Sequence, residues 1–404
     1  MLGENFALKT AMEECCGCGA CVAICPVHSI VMRENDEGFP EPFSSDVKCI
    51  NCGCCNEVCP VQKNRQDNAK KQWGYIGQNT NTSVRLESTS GGVFSAIGQY
   101  VLDEGGIVYG ATFDNSMSVR HAGVETIKEL HKFRNSKYIQ SRINSDVYTQ
   151  IRKFLSMGRM VCFSGTPCQI EGLVSFLKKD YENLILVDVI CRAVASPMIW
   201  KKYLEFHSNT EFNYAYFRKK HYGYKYSSMS LMNDREEVYY NGVETDPMLR
   251  AYFDNICDRQ SCYNCKFKQR YRNADLTLSD CYDVRKWSKT FDDDQGSTKI
   301  CVHSCRGNFI IEELVRKDYL RVIEVDVDDL LSGIYEMKYS VKQKPSRLDF
   351  FRDANLYDGS TLFEKWYPIT FTVKIKKLTR IMLLKLGLYQ FIRRLWWKFS
   401  WRRR

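Results

Sequence analysis

The segment RMVCFSGTPCQIEGLVSFLKKDYENLILVDVIC, residues 159–191, alternates between two kinds of pattern. Residues 159–165 and 183–191 are short apolar runs, which are typical of buried strands. Between them, residues 168–180 carry apolar side chains at helical spacing. Strand, helix and strand in this order predict two parallel strands of one helix-covered sheet.

The same alternation continues on both sides of this segment. Further helices are predicted over 93–106, 145–158 and 197–206, and further strands over 107–113, 212–220 and 274–283. The sequence therefore predicts an α+β or α/β protein whose body contains a mainly parallel or mixed sheet.

Cysteine is unusually frequent, since ten of the 19 cysteines fall within residues 15–59. They form the run Cys15-x2-Cys18-x2-Cys21-x3-Cys25-Pro and a repeat of it that begins at Cys49. This spacing binds paired 4Fe–4S clusters, and the fourth cysteine of each run ligates the other cluster. The predicted ligand sets are Cys15, Cys18, Cys21 and Cys59 for one cluster, and Cys49, Cys52, Cys55 and Cys25 for the other.

Two zinc sites or a disulfide knot are the alternatives for these runs. Zinc sites usually pair two Cys-x2-Cys units across a longer gap. The first residues, MLGENFALKT, lack the pattern of a secretory signal, so we expect a reducing cytosol, where metal binding is favoured over disulfides. Residues 10–62 resemble bacterial two-cluster ferredoxins, in which Cys16 and Cys54 would not be ligands.

Two loops in the body suit an anionic ligand. Ser90, Gly91 and Gly92 precede the helix over 93–106, whose first N–H groups could face a phosphate, although such glycines are also common in plain turns. Residues 165–169 follow a buried strand at its carboxyl end, where open α/β sheets bind ligands.

In their order along the chain, these segments resemble the β subunits of coenzyme F-420 (deazaflavin) hydrogenases and dehydrogenases. The resemblance rests on SGGVFSAI, NSKYIQS, FSGTPCQIEGL, VDVIC with SPMIWKKYL, CYNCKFKQRYRNADLTLSD and FDDDQGST, from about residue 73 to 310. It implies a body that binds FAD and exchanges electrons with iron–sulfur clusters. The flavin-binding residues that it implies are Ser90, Gly91, Gly92, Lys137, Gly165, Thr166, Pro167, Cys168 and Gln169.

Two segments depart from the family pattern. Where the family usually has Cys-His-Gly-x-Pro-Ser-Pro, residues 191–197 read CRAVASP, and where it has Gly-Asp-x-Trp, residues 279–282 read SDCY. Both segments lie where a substrate or cofactor edge would be recognised, so the use of coenzyme F-420 is left open.

A third cysteine group falls within the body. Cys257, Cys262 and Cys265 supply three thiols, the family pattern offers Cys191 as a fourth, and Cys281 is the other candidate. A third 4Fe–4S cluster is the favoured interpretation, with zinc or unligated structural cysteines as alternatives.

The net charge of +10 belongs to the last residues. Residues 371–404 contain 11 Lys/Arg and no Asp or Glu, whereas the whole chain has 58 and 48. Apolar residues at near-helical spacing, together with Trp396, Trp397 and Trp401, predict an amphipathic helix on an anionic membrane surface. A helix docked on the body or on a partner is the alternative, and we expect no nucleic acid partner.

These signals predict an oxidoreductase. The predicted domains are a ferredoxin domain over 1–62, a flavin-binding body in two parts over 73–182 and 183–352, and a basic tail over 371–404. We expect 4Fe–4S clusters to couple single electrons from a redox partner protein to hydride chemistry at FAD, on an unidentified small organic substrate. The resemblance extends to proteins associated with surface-polysaccharide synthesis, so a glycan precursor is one candidate. An electron-delivery or scaffold subunit without a substrate is the alternative. We assign no catalytic residue and expect the protein in the cytoplasm, on the inner face of the membrane.

Overall fold

The computed structural model describes residues 10–44, 48–63, 69–207, 211–234 and 236–389. Its strands are β1 (Ile30–Glu34), β2 (Pro40–Ser44), β3 (Trp73–Asn79), β4 (Ile107–Phe113), β5 (Val119–Val124), β6 (Val161–Gly165), β7 (Leu184–Val189), β8 (Tyr214–Lys219), β9 (Ser228–Asn233), β10 (Glu236–Gly242), β11 (Leu276–Asp280), β12 (Thr298–Val302) and β13 (Leu320–Val325). Its helices are α1 (Ala20–Ile24), α2 (Cys54–Glu57), α3 (Thr82–Glu87), α4 (Val93–Asp103), α5 (Ser145–Ser156), α6 (Pro167–Leu177), α7 (Pro197–Phe206), α8 (Pro247–Phe253), α9 (Cys305–Arg316), α10 (Val327–Leu331), α11 (Arg347–Leu356), α12 (Gly359–Trp366) and α13 (Phe371–Lys385).

An eight-stranded mixed sheet forms the centre of the body, in the order β13-β3-β12-β11-β7-β6-β4-β5. The neighbours β11, β7, β6 and β4 pair in parallel, and the pairs toward both edges are antiparallel. Val161 and Phe163 of β6 pack with α5 and α6, whereas Cys162 faces the core that contains α4 and α9. Burial on both faces explains the continuous apolar run of this strand. The predicted mixed sheet is confirmed.

The two cysteine runs form a small module with an internal repeat. Gly19 and Gly53 have φ of 80° and 75°, and each precedes a short helix that contains the third cysteine of its run. A left-handed residue at this point needs glycine, because a side chain would be strained there. The hairpin β1–β2 connects the runs, and its strands pair antiparallel. The predicted two-cluster ferredoxin-like module is therefore present.

Polar contacts at the hairpin turn and at the first cysteine run pack the module tightly on the body. At the hairpin turn, the Ser196 hydroxyl donates to the backbone carbonyl oxygen of Glu37. The Glu37 carboxylate forms a bidentate ion pair with buried Arg347, and both contacts are 2.6 Å long. At the first cysteine run, Tyr148 Oη donates to the carbonyl oxygen of Cys18 at 2.8 Å. These buried polar contacts fix the orientation of the module.

A second layer of the body is built around a separate apolar core. The antiparallel sheet β10-β9-β8 packs with α7, α8, α11 and α12, and Trp200 lies at the centre of this core. The tail begins as α13, which confirms the predicted C-terminal amphipathic helix over its first 15 residues. Residues 390–404, with the three predicted interfacial tryptophans, lie outside the described residues. None of the described helices combines the length and apolar character needed to cross a bilayer.

We expect Gly38→Ala to destabilise the protein more than Gly105→Ala. Both glycines have positive φ, so each substitution carries a backbone strain of about 1 kcal/mol. A Cβ on Gly38 would lie 2.4 Å from Met198 Cβ, whereas nothing lies within 4 Å of a Cβ on Gly105. Overpacking of this kind costs roughly a further 1–3 kcal/mol. Denaturant unfolding of the two variants measures the difference, and equal stability would contradict tight docking of the hairpin.

Candidate cofactor sites

The first cysteine group is buried against the body. Burial raises the pKa of the Cys15 thiol, and the nearby Cys59 thiol acts in the same direction. Burial also raises the pKa of Cys21, and Cys15 and Cys59 contribute to it. The Gly17 N–H donates to Cys15 Sγ at 3.4 Å, and such N–H contacts to sulfur tune clusters. The structure thus brings together three of the four thiols predicted for the first cluster, and Cys18 packs beside them on Gly172 of α6.

The second cysteine group lies at the surface of the module. Burial raises the pKa of the Cys55 thiol, and Cys49 and Cys52 lie close enough to add to it. Cys52 is exposed, and the neighbouring Ile50 is 62% exposed. Cys25, the predicted fourth ligand, accepts from the Ser29 N–H at 3.3 Å. The two predicted clusters therefore differ in position, one facing solvent and one facing the body.

A chamber of about 40 Å³ lies where the module meets the body. Five cysteines line it: Cys16, Cys168, Cys191, Cys262 and Cys265. Burial raises the pKa of Cys191 to about 12, and the Cys168 and Cys265 thiols act in the same direction. Burial likewise raises the pKa of Cys262, with Cys191 and Cys265 as neighbours. Four thiols of the body thus converge on one point and could ligate one 4Fe–4S cluster.

The structure places two sequence candidates elsewhere. Cys257 does not line the chamber, because it is buried in the apolar core around Trp200, where its carbonyl oxygen accepts from the Ser196 N–H at 2.9 Å. Cys281 lies in another small core with Val284 and Cys301. Cys168, which we predicted for the flavin loop, lines the chamber with Cys191, Cys262 and Cys265. It takes the position in this cysteine group that we expected for Cys257.

A cleft of about 720 Å³ opens at the carboxyl ends of the parallel strands. Six of the nine predicted flavin residues line it: Ser90, Gly92, Lys137, Gly165, Thr166 and Gln169. Gly91 is buried behind them, and its N–H donates to Thr298 Oγ1 at 2.8 Å. Pro167 and Cys168 face the cysteine chamber instead. The volume is in the usual range for a site that holds an organic cofactor.

The start of α4 offers N–H groups to the cleft. Gly92 caps this helix with φ of 77°, and as a glycine it has no side chain to accept a hydrogen bond from the first turn. Gly92, Val93, Phe94 and Ser95 all line the cleft. A helix of 11 residues with an open N-terminus on a cleft fits an anionic group such as the pyrophosphate of FAD.

Lys137 is held by the backbone. Its Nζ donates to the carbonyl oxygens of Lys132 and Arg134, both at 3.0 Å, and of Asn135 at 3.3 Å. Burial lowers the pKa of this lysine to about 7. The amine therefore fixes the loop over 134–138 at the rim of the cleft, and this use of its donors makes it a positioning residue.

Thr166 and Gln169 are likewise committed to local structure. They form a capping box at the start of α6, in which Gln169 Oε1 accepts from the Thr166 N–H at 2.9 Å. Thr166 Oγ1 also lies 3.1 Å from Cys168 Sγ. The loop over 165–169 is therefore rigid, and it separates the cleft from the chamber.

The sequence did not reveal a polar cluster at the Ser90 end of the cleft, where Tyr224 Oη lies 3.3 Å from Ser90 Oγ. Asp280 forms an ion pair with Arg218 and accepts from Tyr224 Oη at 3.1 Å and from Tyr282 Oη at 3.0 Å. Arg218 and Tyr224 come from a stretch of sequence without a motif, so only the fold joins them to the SDCY segment. Arg218, Asp280 and Tyr282 line the cleft.

No group of three or more His, Cys, Asp or Glu side chains surrounds a position for a single metal ion in the described part of the chain. The cysteines that hold a 4Fe–4S cluster surround a whole cube of iron and sulfide, so their sulfurs lie further apart than the ligands of one ion.

Two family models match the chain. Residues 158–328 match the model for the C terminus of the coenzyme F420 hydrogenase/dehydrogenase beta subunit, and residues 14–63 match the 4Fe-4S dicluster domain. The search of curated proteins gave no match.

Among solved structures, the chain is similar to a chain of the F420-reducing NiFe hydrogenase complex from Methanosarcina barkeri. The two are 15% identical, the match covers 75% of this chain and 93% of that chain, and the TM-score is 0.44. The two family matches confirm the resemblance seen in the sequence, and the chain is accordingly an iron–sulfur, oxidoreductase-like subunit related to the coenzyme F420 hydrogenase/dehydrogenase β subunit, with a 4Fe–4S dicluster domain in residues 14–63.

Proposed function

We propose that the protein is a flavin- and iron–sulfur-dependent oxidoreductase that couples one-electron transfer to two-electron hydride chemistry. The observation that carries the proposal is the shared wall between the cleft and the cysteine chamber. Thr166, Cys191 and Arg192 line both cavities. A flavin in the cleft would supply the exchange between hydride and single electrons.

The chain's own residues support FAD in the cleft. The open first turn of α4 would hold the pyrophosphate, and the rigid loop over 165–169 would bound the ring system on the side of the chamber. Tyr138 and Tyr252 stack at 4.4 Å and contribute an apolar, aromatic wall to the same cleft. Apolar walls exclude water from the reacting centre, which hydride chemistry requires.

We propose a third 4Fe–4S cluster in the chamber, with Cys168, Cys191, Cys262 and Cys265 as ligands. Support comes from the convergence of the four thiols and from the cations around them. Arg259, Lys266, Lys268 and Arg272 also line the chamber. A cluster held by four thiolates is a net anion, which these cations would stabilise.

The three cysteine groups would then form a path for electrons from the surface of the module to the body. The second cysteine group contains the exposed Cys52 and would meet a redox partner protein, and the first cysteine group, with Cys18 and Cys59 buried, adjoins the body. Cys16 adjoins the first cysteine group and also lines the chamber, where its thiol lies beside that of Cys168. The cleft lies beyond the chamber wall.

For the substrate we propose a small organic molecule that exchanges hydride at the Asp280 end of the cleft. A glycan precursor of surface-polysaccharide synthesis is the substrate class that the sequence resemblance supports. The SDCY segment supplies Asp280 and Tyr282 to this end, so a departure from the family pattern coincides with the polar cluster there. Use of coenzyme F-420 itself is not part of the proposal.

We expect Ser95→Asp to lose FAD while Ser95→Asn retains it. Ser95 lies in the first turn of α4 and lines the cleft, so a carboxylate there would repel a pyrophosphate. Because Ser95 is buried, a carboxylate there also carries a desolvation cost, so denaturant unfolding of the two variants is compared to separate loss of flavin from unfolding. Flavin content after anaerobic purification is the measurement.

Two results of that experiment would contradict parts of the proposal. Equal flavin in both variants would place the phosphates elsewhere. A wild-type protein that carries its clusters but no flavin, and that takes up none when FAD is added, would instead support the alternative of an electron-delivery or scaffold subunit.

Cys262→Ser should lower the iron content by about four per chain, from about 12 to about eight, because one cluster of four irons loses a ligand. Cys257→Ser is the matched control, since Cys257 lies five residues away but outside the chamber, and it should leave the iron content unchanged. Iron and sulfide analysis of both variants decides the matter. Unchanged iron in Cys262→Ser would remove the third cluster from the proposal.

Cys16→Ala should lower the reduction potential of the third cluster. The contact with Cys168 lowers the pKa of the Cys16 thiol, but the contact with Cys18 and burial leave that pKa well above its usual value. A protonated Cys16 thiol can donate to the sulfur of Cys168 when Cys168 is bound to the cluster as a thiolate. Hydrogen bonds to ligand sulfurs help to set cluster potentials. Cys54→Ala, the other cysteine outside the ligand sets, is the control, because Cys54 contacts Cys52 at the far end of the module.

The measurement is a redox titration followed by electron paramagnetic resonance, with Cys262→Ser identifying the signal of the third cluster. The same potential in both alanine variants would show that Cys16 has no effect on that cluster.

A further inference from the structure

The helix α13 presents two different faces. Toward the body, Lys377 Nζ donates to Asn241 Oδ1 at 2.7 Å, and Arg380 forms an ion pair with Glu244. The Arg380 guanidinium also lies over the ring of Tyr226, 5.0 Å from its centroid. The cations that a basic tail would use for an anionic ligand are, on this face, bound to the body.

The opposite face is apolar and exposed. Phe371, Ile375, Leu378 and Met382 are 78%, 46%, 68% and 55% exposed. Their spacing of four, three and four residues places them in one stripe along a helix of 3.6 residues per turn. A monomeric protein in water rarely leaves such a stripe uncovered, so a binding surface is indicated.

Exposed cations flank this stripe. At 100° per residue, Lys374 and Lys385 fall on the same side of the helix as the four apolar residues. Both lysines are exposed, and neither forms an ion pair within the described part of the chain. Apolar side chains bordered by lysines are the arrangement of a helix that lies in a membrane interface.

We propose that α13 binds the surface of an anionic lipid bilayer through this stripe, while Lys377 and Arg380 hold the body against the back of the helix. The charge of this segment favours an anionic lipid surface over a protein partner, because residues 371–404 carry 11 Lys/Arg and no Asp or Glu. The chain after α13 adds three tryptophans, which favour the headgroup region. The helix lies along the surface, with its apolar residues among the upper acyl chains.

This attachment fixes the orientation of the protein. Asn241 is the last residue but one of β10, and Glu244 follows the strand closely. The three-stranded sheet therefore lies about one helix diameter, roughly 10 Å, from the lipid surface. The turn before α13 is fixed as well, because Arg250 Nη1 donates to the carbonyl oxygens of Tyr367 at 2.5 Å and Pro368 at 3.1 Å. The inference is independent of the proposed redox chemistry.

The test is flotation of the full-length holoprotein with vesicles of phosphatidylcholine alone or with phosphatidylserine. Wild type should float with the phosphatidylserine vesicles and separate from them in 1 M salt, where the screening length falls to about 3 Å. Leu378→Glu combined with Met382→Glu should weaken this binding roughly tenfold or more. The matched control is Leu348→Glu combined with Leu356→Glu, which changes equally exposed leucines of α11 and should bind like wild type.

A second variant tests the proposal even if the stripe variant fails to fold. Lys374→Gln combined with Lys385→Gln keeps the stripe and should lose binding to phosphatidylserine vesicles, and unchanged iron content in all variants shows that they fold. Wild type that stays unbound to phosphatidylserine vesicles would overturn the proposal, as would equal binding by the stripe variant. A wild-type dimer that the stripe variant dissociates, in protein that ignores vesicles, would assign the stripe to a second copy of the chain.

Discussion

The buried guanidinium of Arg259 joins the first cysteine run to the body, and the arrangement of the sites depends on it. Arg259 Nε donates to the carbonyl oxygen of Cys15 at 2.6 Å, and its Nη2 donates to that of Pro40 at 3.1 Å. On the body side, Nη1 donates to Gln140 Oε1 at 2.9 Å. Gly17 makes room for this contact, since a Cβ there would lie 2.4 Å from Gln140 Nε2. Loss of Arg259 would leave buried carbonyl groups without donors, which is costly.

That contact explains why a cysteine outside the ferredoxin ligand sets lies at the junction. Arg259 holds the Cys15 backbone, and Gln140 Nε2 donates to the carbonyl oxygen of Cys16 at 3.2 Å. The Cys16 side chain therefore faces the chamber and Cys168. The loop over 165–169 is in turn rigid because its capping box belongs to α6. The first cysteine group, the chamber and the cleft are thus held at fixed separations by backbone that cannot easily move.

Much of the fold could be predicted from local pattern. The apolar run over 107–113 is β4 with the same bounds, and the helix predicted over 197–206 is α7, because each pattern reflects burial along a single element. Contacts between distant segments could not be predicted in this way. Sequence spacing grouped Cys257 with Cys262 and Cys265, yet Cys257 lies in the core around Trp200, and Cys168 joins the other two from the first turn of α6. Lys137 was predicted to bind the flavin, and its hydrogen bonds to backbone carbonyl oxygens could not be read from the sequence.

The charges around the chamber indicate what kind of group the fold can hold there. Lys266 pairs with Glu14, Arg272 with Asp188 and Arg192 with Glu336, so three of the cations have carboxylate partners. Within the described residues, Arg259 and Lys268 donate to uncharged oxygens, which include the carbonyl oxygen of Cys15 for Arg259 and that of Cys191 for Lys268. Cations left without an anion in a partly buried place are costly unless an anionic group lies between them. A cluster bound by thiolates is such a group, so the same residues that orient the module also favour a cluster at the point where module, body and cleft meet.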